Sequence, residues 1–451
     1  MLFADSALRW LEVILKERFG YKFDLVQYSN TLILKLSGFQ GEIKFDRLQE
    51  VFHQSSSDFP CHQWNASSDG YAAPIEEKLP APTEIDLPTP LIEETKFSAV
   101  IHYDILGLVY WMLTRLEEVG RTDLDDHQRF PATSSHAYHH AYLERPIVDE
   151  WLIILGQVIQ RVWPQLVLRR HEFSIKVSHD VDRPSRYGFR PFKPLVRAMV
   201  GDVVKNRNIR GALIAPWVRF NSRQRLHWAD PFNTFDWLMD VSEANNLKSA
   251  FYFICGRTHP IKDADYEPEH PAIRNLIRRI HERGHEIGLH PSYSTFQKPD
   301  LIKQEAERLK RICAEEGIQQ SQWGGRMHYL RWEHPTTLRA WADAGMSYES
   351  TMGYADRPGF RCGTCFEYPA FDPVAMEQVQ LRVRPLIAME ASVLSPQYLG
   401  LEQAAAIQKF KDLKESCAKV GGQFVLLWHN SELYHKSSRD VYSEILGSTR
   451  C

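Results

Sequence analysis

The chain has 451 residues, 43% of them hydrophobic and 25% charged, a composition that suits two or three domains with a buried core. Fifty-four Lys and Arg against 57 Asp and Glu give a net charge of -3, so no global basic field advertises a nucleic-acid or anionic-membrane partner. No window of about 20 uncharged apolar residues occurs, so no membrane span is expected.

The first 21 residues, "MLFADSALRWLEVILKERFGY", place charges among apolar residues at helical spacing, which reads as an amphipathic helix and not a secretory segment. Seven Cys, an odd number at 61, 255, 313, 362, 365, 417 and 451, fit a reducing compartment, and a cytoplasmic location is the expectation. Cys362 and Cys365 in "RCGTC" form a lone C-x-x-C, a weak zinc or redox signal that reads more simply as buried thiols. Between residues 76 and 95 Pro recurs and periodicity disappears, so a loop or connector is expected. A helix follows in Tyr103 to Gly120, then a His-rich loop, then the apolar helix "IVDEWLIILGQVIQRVW". In that loop His127, His136, His139 and His140 lack metal-ligand spacing with supporting carboxylates. They read as inter-domain packing in a region that could cap a neighbouring site.

From His171 the rhythm changes to alternating strands and helices. Strands are expected in "EFSIKVSHDVD", "KSAFYFIC", "HEIGLH", "QWGGRMHYL", "MSYEST" and "QFVLLWHN", with helices ahead of all but the first. That alternation argues for a parallel α/β sheet, with polar residues just past the carboxyl ends of the strands, as in a (β/α) barrel. An insertion at about 190–228 interrupts the pattern, and its basic run "VKNRNIRG" (Val204 to Gly211) reads as a solvated face. The strand ends offer His179, Asp180 and Asp182, then His290, then Arg326 and His328, then His429 and Asn430. Carboxylates, an Arg and several His at one mouth suit metal-assisted or general acid–base hydrolysis. Asp180 and Asp182 stand two apart, so on a regular strand both point to one face.

In order along the chain, "SHDVDRP", "SAFYFICGR", "GHEIGLHPSY", "GGRMHYLRW" and "LLWHN" resemble the motifs of the NodB-homology polysaccharide deacetylases, carbohydrate esterase family 4, over about residues 172 to 435. The N-terminal region lies outside the resemblance and is expected to form a separate α+β domain at 1–165. The resemblance implies a distorted (β/α) barrel, expected at 166–451. It implies Asp180 as the base that activates water, Asp182 and His290 as metal ligands, and Arg326 as a brace for Asp180. Tyr329 would give a backbone N–H to the oxyanion, and His429 a proton to the leaving amine. The metal would be divalent, zinc first, with cobalt or manganese as alternatives.

Three departures qualify the pattern. Asp-Val-Asp replaces an adjacent Asp pair, Ser294 stands where a second His ligand belongs, and His328 replaces a Pro. Ser is a poor zinc ligand beside imidazole and carboxylate, so His328 becomes the candidate third ligand, or else a substrate contact. His179, Arg361 and Asn430 are further candidates for substrate contact.

The activity implied is removal of an N-acetyl or similar acyl group from an amino sugar or glycan precursor in bacterial surface-polysaccharide assembly. The alternatives are a metal-independent hydrolase of another C–N bond and a carbohydrate-binding protein with a retired active site. The sequence leaves the sugar, the acyl group and the oligomeric state open.

Overall fold

The computed structural model describes residues 2–204, 207 and 209–447. Lys205, Asn206 and Asn208 of the basic run, and Cys451, lie outside the described residues.

Helix α1 (Asp5–Phe19) buries Ala7, Trp10, Leu11, Ile14 and Leu15, the apolar spacing seen in the sequence. Strands β1 (Phe23–Tyr28), β2 (Thr31–Leu36) and β3 (Glu42–Phe45) form an antiparallel meander. β4 (Cys61–Asn65) pairs with β5 (Lys78–Pro82) as a separate ribbon, while β6 (Ile92–Glu94) and β7 (Ser98–Ile101) complete a five-stranded sheet with the meander. The proline-rich stretch at 76–95 is therefore not a plain connector. β5 accommodates its prolines because it is paired on one side only.

Helix α2 (Ile105–Leu113) is shorter than expected, because Arg115 takes a left-handed backbone (φ 51°) and turns the chain into a short 3-10 segment. The one-turn helix α3 (His136–His139) and the buried helix α4 (Ile147–Val162) close this α+β region.

The second region opens with β8 (Ser174–Val181), followed by the helices α5 (Phe192–Val204) and α6 (Ile209–Asn221) of the insertion. Then come α7 (Phe235–Ala244), β9 (Ser249–Phe253), α8 (Pro271–Glu282), β10 (Glu286–Leu289), α9 (Pro299–Glu315), α10 (Thr336–Asp343) and β11 (Tyr348–Glu349). The hairpin β12 (Tyr368–Asp372) and β13 (Glu377–Val383) had no counterpart in the sequence reading. β14 (Ala388–Met389), α11 (Glu390–Leu394), α12 (Gln403–Lys419), β15 (Gln423–Leu427) and α13 (Lys436–Leu446) complete the chain.

Parallel strands run in the order β10-β9-β8-β15-β14. The segment "QWGGRMHYL" forms no regular strand, yet it holds β10 through Gly324 O, which accepts from Leu289 N (2.9 Å), and Arg326 N, which donates to Leu289 O (3.0 Å). Gly325 permits that approach, since a Cβ there would lie 1.8 Å from Leu289 O. Ser347 N and Ser350 N donate to Trp323 O and Gly325 O, and Leu386 N donates to Met352 O. These bonds carry the ring from β10 back to β14. The result is a distorted (β/α) barrel in which short irregular segments replace some of the staves.

The two regions share one continuous apolar core. Across their junction Trp10 Nε1 donates to Pro369 O (2.8 Å), and the buried Asp149 accepts from Thr364 Oγ1 (2.7 Å) and Cys365 N (2.9 Å). Both Cys362 and Cys365 are buried, and burial pushes the Cys362 thiol up to about 11, as expected of inert packing thiols.

Candidate metal centre

Parallel register brings the carboxyl ends of β8, β9, β10 and β15 to one rim. There the side chains of Asp180, Asp182, His290, His328 and His429 line a pocket of about 170 Å³. Ligand sites favour this end of a parallel barrel. A larger cleft of about 510 Å³ lies at the opposite end, lined by Lys176 and Gln423 from the strand starts. Its arginines are already engaged: Arg382 with Glu17 and Glu367, Arg384 with Glu367, and Arg18 with Asp149.

Among the described residues, the group of His, Cys, Asp or Glu that could hold a metal ion is Asp182, His290 and His328, whose ligand atoms lie within 4.8 Å of one another. His290 Nε2 is 3.2 Å from Asp182 Oδ1, and His328 Nε2 is 3.6 Å from the same oxygen. His290 Nε2 and Asp182 Oδ1 are nevertheless buried without a hydrogen-bond partner, in contact but not aligned to bond. Two orphaned polar atoms facing one point carry a cost unless a cation satisfies both.

The far sides of the imidazoles fit the same purpose. His290 Nδ1 donates to Arg326 O (2.6 Å), which leaves Nε2 free as a lone pair. His328 Nδ1 faces the Oδ1 of the buried Asp263 at 3.2 Å. Burial works against the charge of Asp182, but His328, His290 and His429 hold its carboxyl well below the usual range. Burial likewise disfavours a charged His328, yet Asp182 and Asp263 raise it to about 9. A cation would replace that proton at Nε2. Two nitrogens and one carboxylate oxygen, braced from behind, therefore fit a divalent metal.

Asp180 stands beside this group, its Oδ2 3.7 Å from His290 Nε2. Arg326, fully buried, donates from Nη1 to Asp180 Oδ1 (2.8 Å) and from Nη2 to Ser178 Oγ (2.9 Å) and Ser350 Oγ (3.1 Å). On the other side His429 Nε2 lies 3.7 Å from Asp182 Oδ2, and its Nδ1 bonds closely to Glu390 Oε1. Burial alone would lower the His429 imidazole, but Glu390, Asp182 and Asp180 raise it to about 10. The pocket thus holds a carboxylate fixed by Arg326 and an imidazolium fixed by Glu390.

Tyr329 lines the pocket with a left-handed backbone (φ 61°), and Leu330 after it is left-handed too (φ 55°). Consecutive non-glycine residues in that region store strain of about 1–3 kcal/mol each, a feature concentrated at working sites. Arg129 from the N-terminal region helps hold the turn by donating from Nη1 to Tyr329 O (2.8 Å) and from Nη2 to Tyr398 OH (3.3 Å). Arg331 reaches back to His127 O (2.8 Å). The N-terminal loop around residues 125–130 therefore forms part of the pocket wall.

Three residues expected to touch substrate sit elsewhere. His179 points to the opposite face of β8, where Nδ1 bonds Trp428 O (2.8 Å), Nε2 faces Ser249 Oγ (3.3 Å), and burial holds its pKa down to about 3. Asn430 donates to Arg183 O (2.9 Å) and Phe232 O (2.8 Å), tying the insertion's base to the barrel. Arg361 is buried against Glu118 and donates to Gly353 O (2.8 Å), so it joins the two regions. Ser294 donates its backbone N–H to Thr258 Oγ1 (2.8 Å) and its side chain is not among the pocket walls. Asp263 and Glu390 were missed. Glu390 follows the short apolar run "PLIAM", the same strand-end signal that marked His290 and His429.

Residues 7–164 match the model of a family described as of unknown function, DUF7033. No curated protein matches the sequence. Solved structures similar to this chain include two provisionally described polysaccharide deacetylases. One is from Mycobacterium smegmatis (17% identity, TM-score 0.38, covering 61% of this chain and 83% of that one). The other is from Pseudomonas aeruginosa PAO1 (16% identity, TM-score 0.35, covering 61% and 84%). Puue allantoinase is a third (11% identity, TM-score 0.36, covering 61% and 83%).

Proposed function

We propose that the protein is a metal-dependent hydrolase that removes an acetyl or similar acyl group from the nitrogen of an amino sugar. The observation that carries the reading is the convergence of Asp182, His290 and His328 on one point, with the orphaned His290 Nε2 and Asp182 Oδ1 facing it. Bound there, a divalent ion, zinc first, would act as a Lewis acid that polarises the amide carbonyl.

The chain's own groups supply the remaining requirements. Asp180, positioned by the hydrogen bond from Arg326, accepts a proton from water as the water oxygen bonds to the carbonyl carbon. His429, held protonated by Glu390, gives its proton to the nitrogen as the C–N bond breaks, leaving a carboxylic acid and a free amine. A backbone N–H at the strained Tyr329 turn suits the developing oxyanion. Leu330, Met389, Ala391 and Leu427 give the small pocket an apolar wall that suits a methyl group and leaves little room for a long acyl chain.

The amino-sugar substrate and a place in surface-polysaccharide assembly follow from the motif resemblance, and a cytoplasmic setting from the cysteine usage and the amphipathic first segment. The test is acetate release from N-acetylated amino sugars, with and without chelator, by the parent and by Asp180→Asn. Release that is abolished by the chelator, restored by metal and absent in the variant supports the reading. Release that survives the chelator refutes it.

A further inference from the structure

The insertion that leaves the carboxyl end of β8 has exposed apolar stripes on both of its helices. On α5 Phe192, Val196, Val200 and Val203 are exposed, and on α6 Ile209, Leu213, Trp217 and Phe220 repeat the same spacing of four, four and three. That spacing lays each set along one side of its helix. The inner sides are already used, since Leu195, Ala215 and Val218 pack with Tyr187 in a small core of their own. Trp228, just after the pair, is 82% exposed. Ten of the nineteen exposed large hydrophobics among the described residues lie between Phe192 and Trp228, so the exposure is concentrated here and is not the scatter of an ordinary surface.

Charge narrows what covers these stripes. Residues 190–228 contain nine Lys or Arg and one acidic residue, Asp202, in a protein whose net charge is -3. Asp202 is buried and paired with Arg186 and Tyr187. Lys193, Arg197 and Arg210 are exposed, each one position after a stripe residue and so beside it. A second copy of this pair would bring like charges together. A nucleic acid would satisfy the cations but leave the Val, Ile, Leu and Phe side chains in water.

We propose that α5 and α6 are a docking element that lies in the headgroup layer of an anionic lipid surface, with the apolar stripes buried and the basic side chains at the lipid phosphates. The element begins ten residues after Asp182, on the segment that leaves the carboxyl end of β8. No described helix is long and apolar enough to cross a membrane, and the attachment is peripheral. The inference rests on the insertion alone and stands or falls independently of the reaction proposed above.

Vesicle sedimentation of the full chain tests it, with phosphatidylcholine alone and with phosphatidylglycerol added. The expected result is binding that requires phosphatidylglycerol and weakens as salt rises. The variant Leu213→Ser/Trp217→Ser/Phe220→Ser and the variant Lys193→Ser/Arg197→Ser/Arg210→Ser should each lose binding on the order of 100-fold, with unchanged melting temperature. Absence of binding to anionic vesicles at low salt, or binding that both variants retain, overturns the proposal. So does a dimer that the apolar variant dissolves while the parent ignores vesicles, which would assign the stripes to a second copy.

Discussion

Replacing Asp263 by Asn removes one charge at nearly constant size, 3.2 Å from the back of His328. The two Asp263 oxygens accept from both sides: Oδ1 from Tyr293 N (2.7 Å) and His328 Nδ1, Oδ2 from Thr258 N (2.8 Å), Thr258 Oγ1 (3.2 Å) and His259 N (2.7 Å). An amide cannot satisfy both. With its NH2 toward His328, the Tyr293 N–H loses its acceptor and the imidazole must move its proton to Nε2, which removes the lone pair facing Asp182. Metal affinity then falls by about 10- to 100-fold, or about 1.4–2.7 kcal/mol. With the NH2 toward the loop, the Thr258 and His259 N–H groups lose their acceptor, at about 1–3 kcal/mol of stability for each group left unpaired. A Zn²⁺ competition titration against a chromophoric chelator, read beside thermal melting, separates the two outcomes, and Ser294→Ala serves as the unaffected control. An Asp263→Asn protein that binds metal within about twofold of the parent and melts at the same temperature would refute the assignment of His328 as a braced ligand.

His429→Asn should lower turnover by about 10²- to 10⁴-fold while leaving metal affinity nearly unchanged, a separation seen by running the activity assay beside the same titration. Arg361→Met leaves Glu118 and the Gly353 carbonyl short of a buried donor, and urea unfolding should show a loss of about 3–5 kcal/mol with KM unchanged. A raised KM at parental stability would instead return Arg361 to the substrate. Burial, with His140 adding to it, holds His136 down to about 3, against 6.5 when unfolded. Its stabilising contribution is therefore complete above pH 6.5 and declines as pH falls toward 3, by about 1.4 kcal/mol per unit. The stability gap between the parent and His136→Asn should narrow by about 2 kcal/mol from pH 6.5 to pH 5, and a gap that stays constant contradicts a neutral buried imidazole.

The barrel was legible because strand-then-helix alternation is a long-range pattern, and because each strand delivers its polar residue at the same end. The missing ligand was only half legible. Ser294 announced a gap, but the placement of His328 depends on the glycine-permitted approach of residues 323–326 to β10, which no local period encodes. Strand parity explains the error at His179, which neighbours Asp180 on β8 and so faces the opposite side, where Trp428 and Ser249 receive it. Arg361 was misread because its partner, Glu118, lies 243 positions away in the other region. Asp263 sits in a loop with no periodic signal at all. The insertion was legible only as a break in the strand–helix rhythm, and its two helices with their exposed apolar stripes appear only in the structure.

Metal content bears most directly on the central claim that Asp182, His290 and His328 form one metal site. Mass spectrometry on untagged protein, soaked in Zn²⁺, Co²⁺ or Mn²⁺ and desalted, should find close to one equivalent in the parent and none in Asp182→Ala, His290→Ala or His328→Ala. A parent protein that retains no metal, or a His328→Ala variant that retains a full equivalent, would contradict the account.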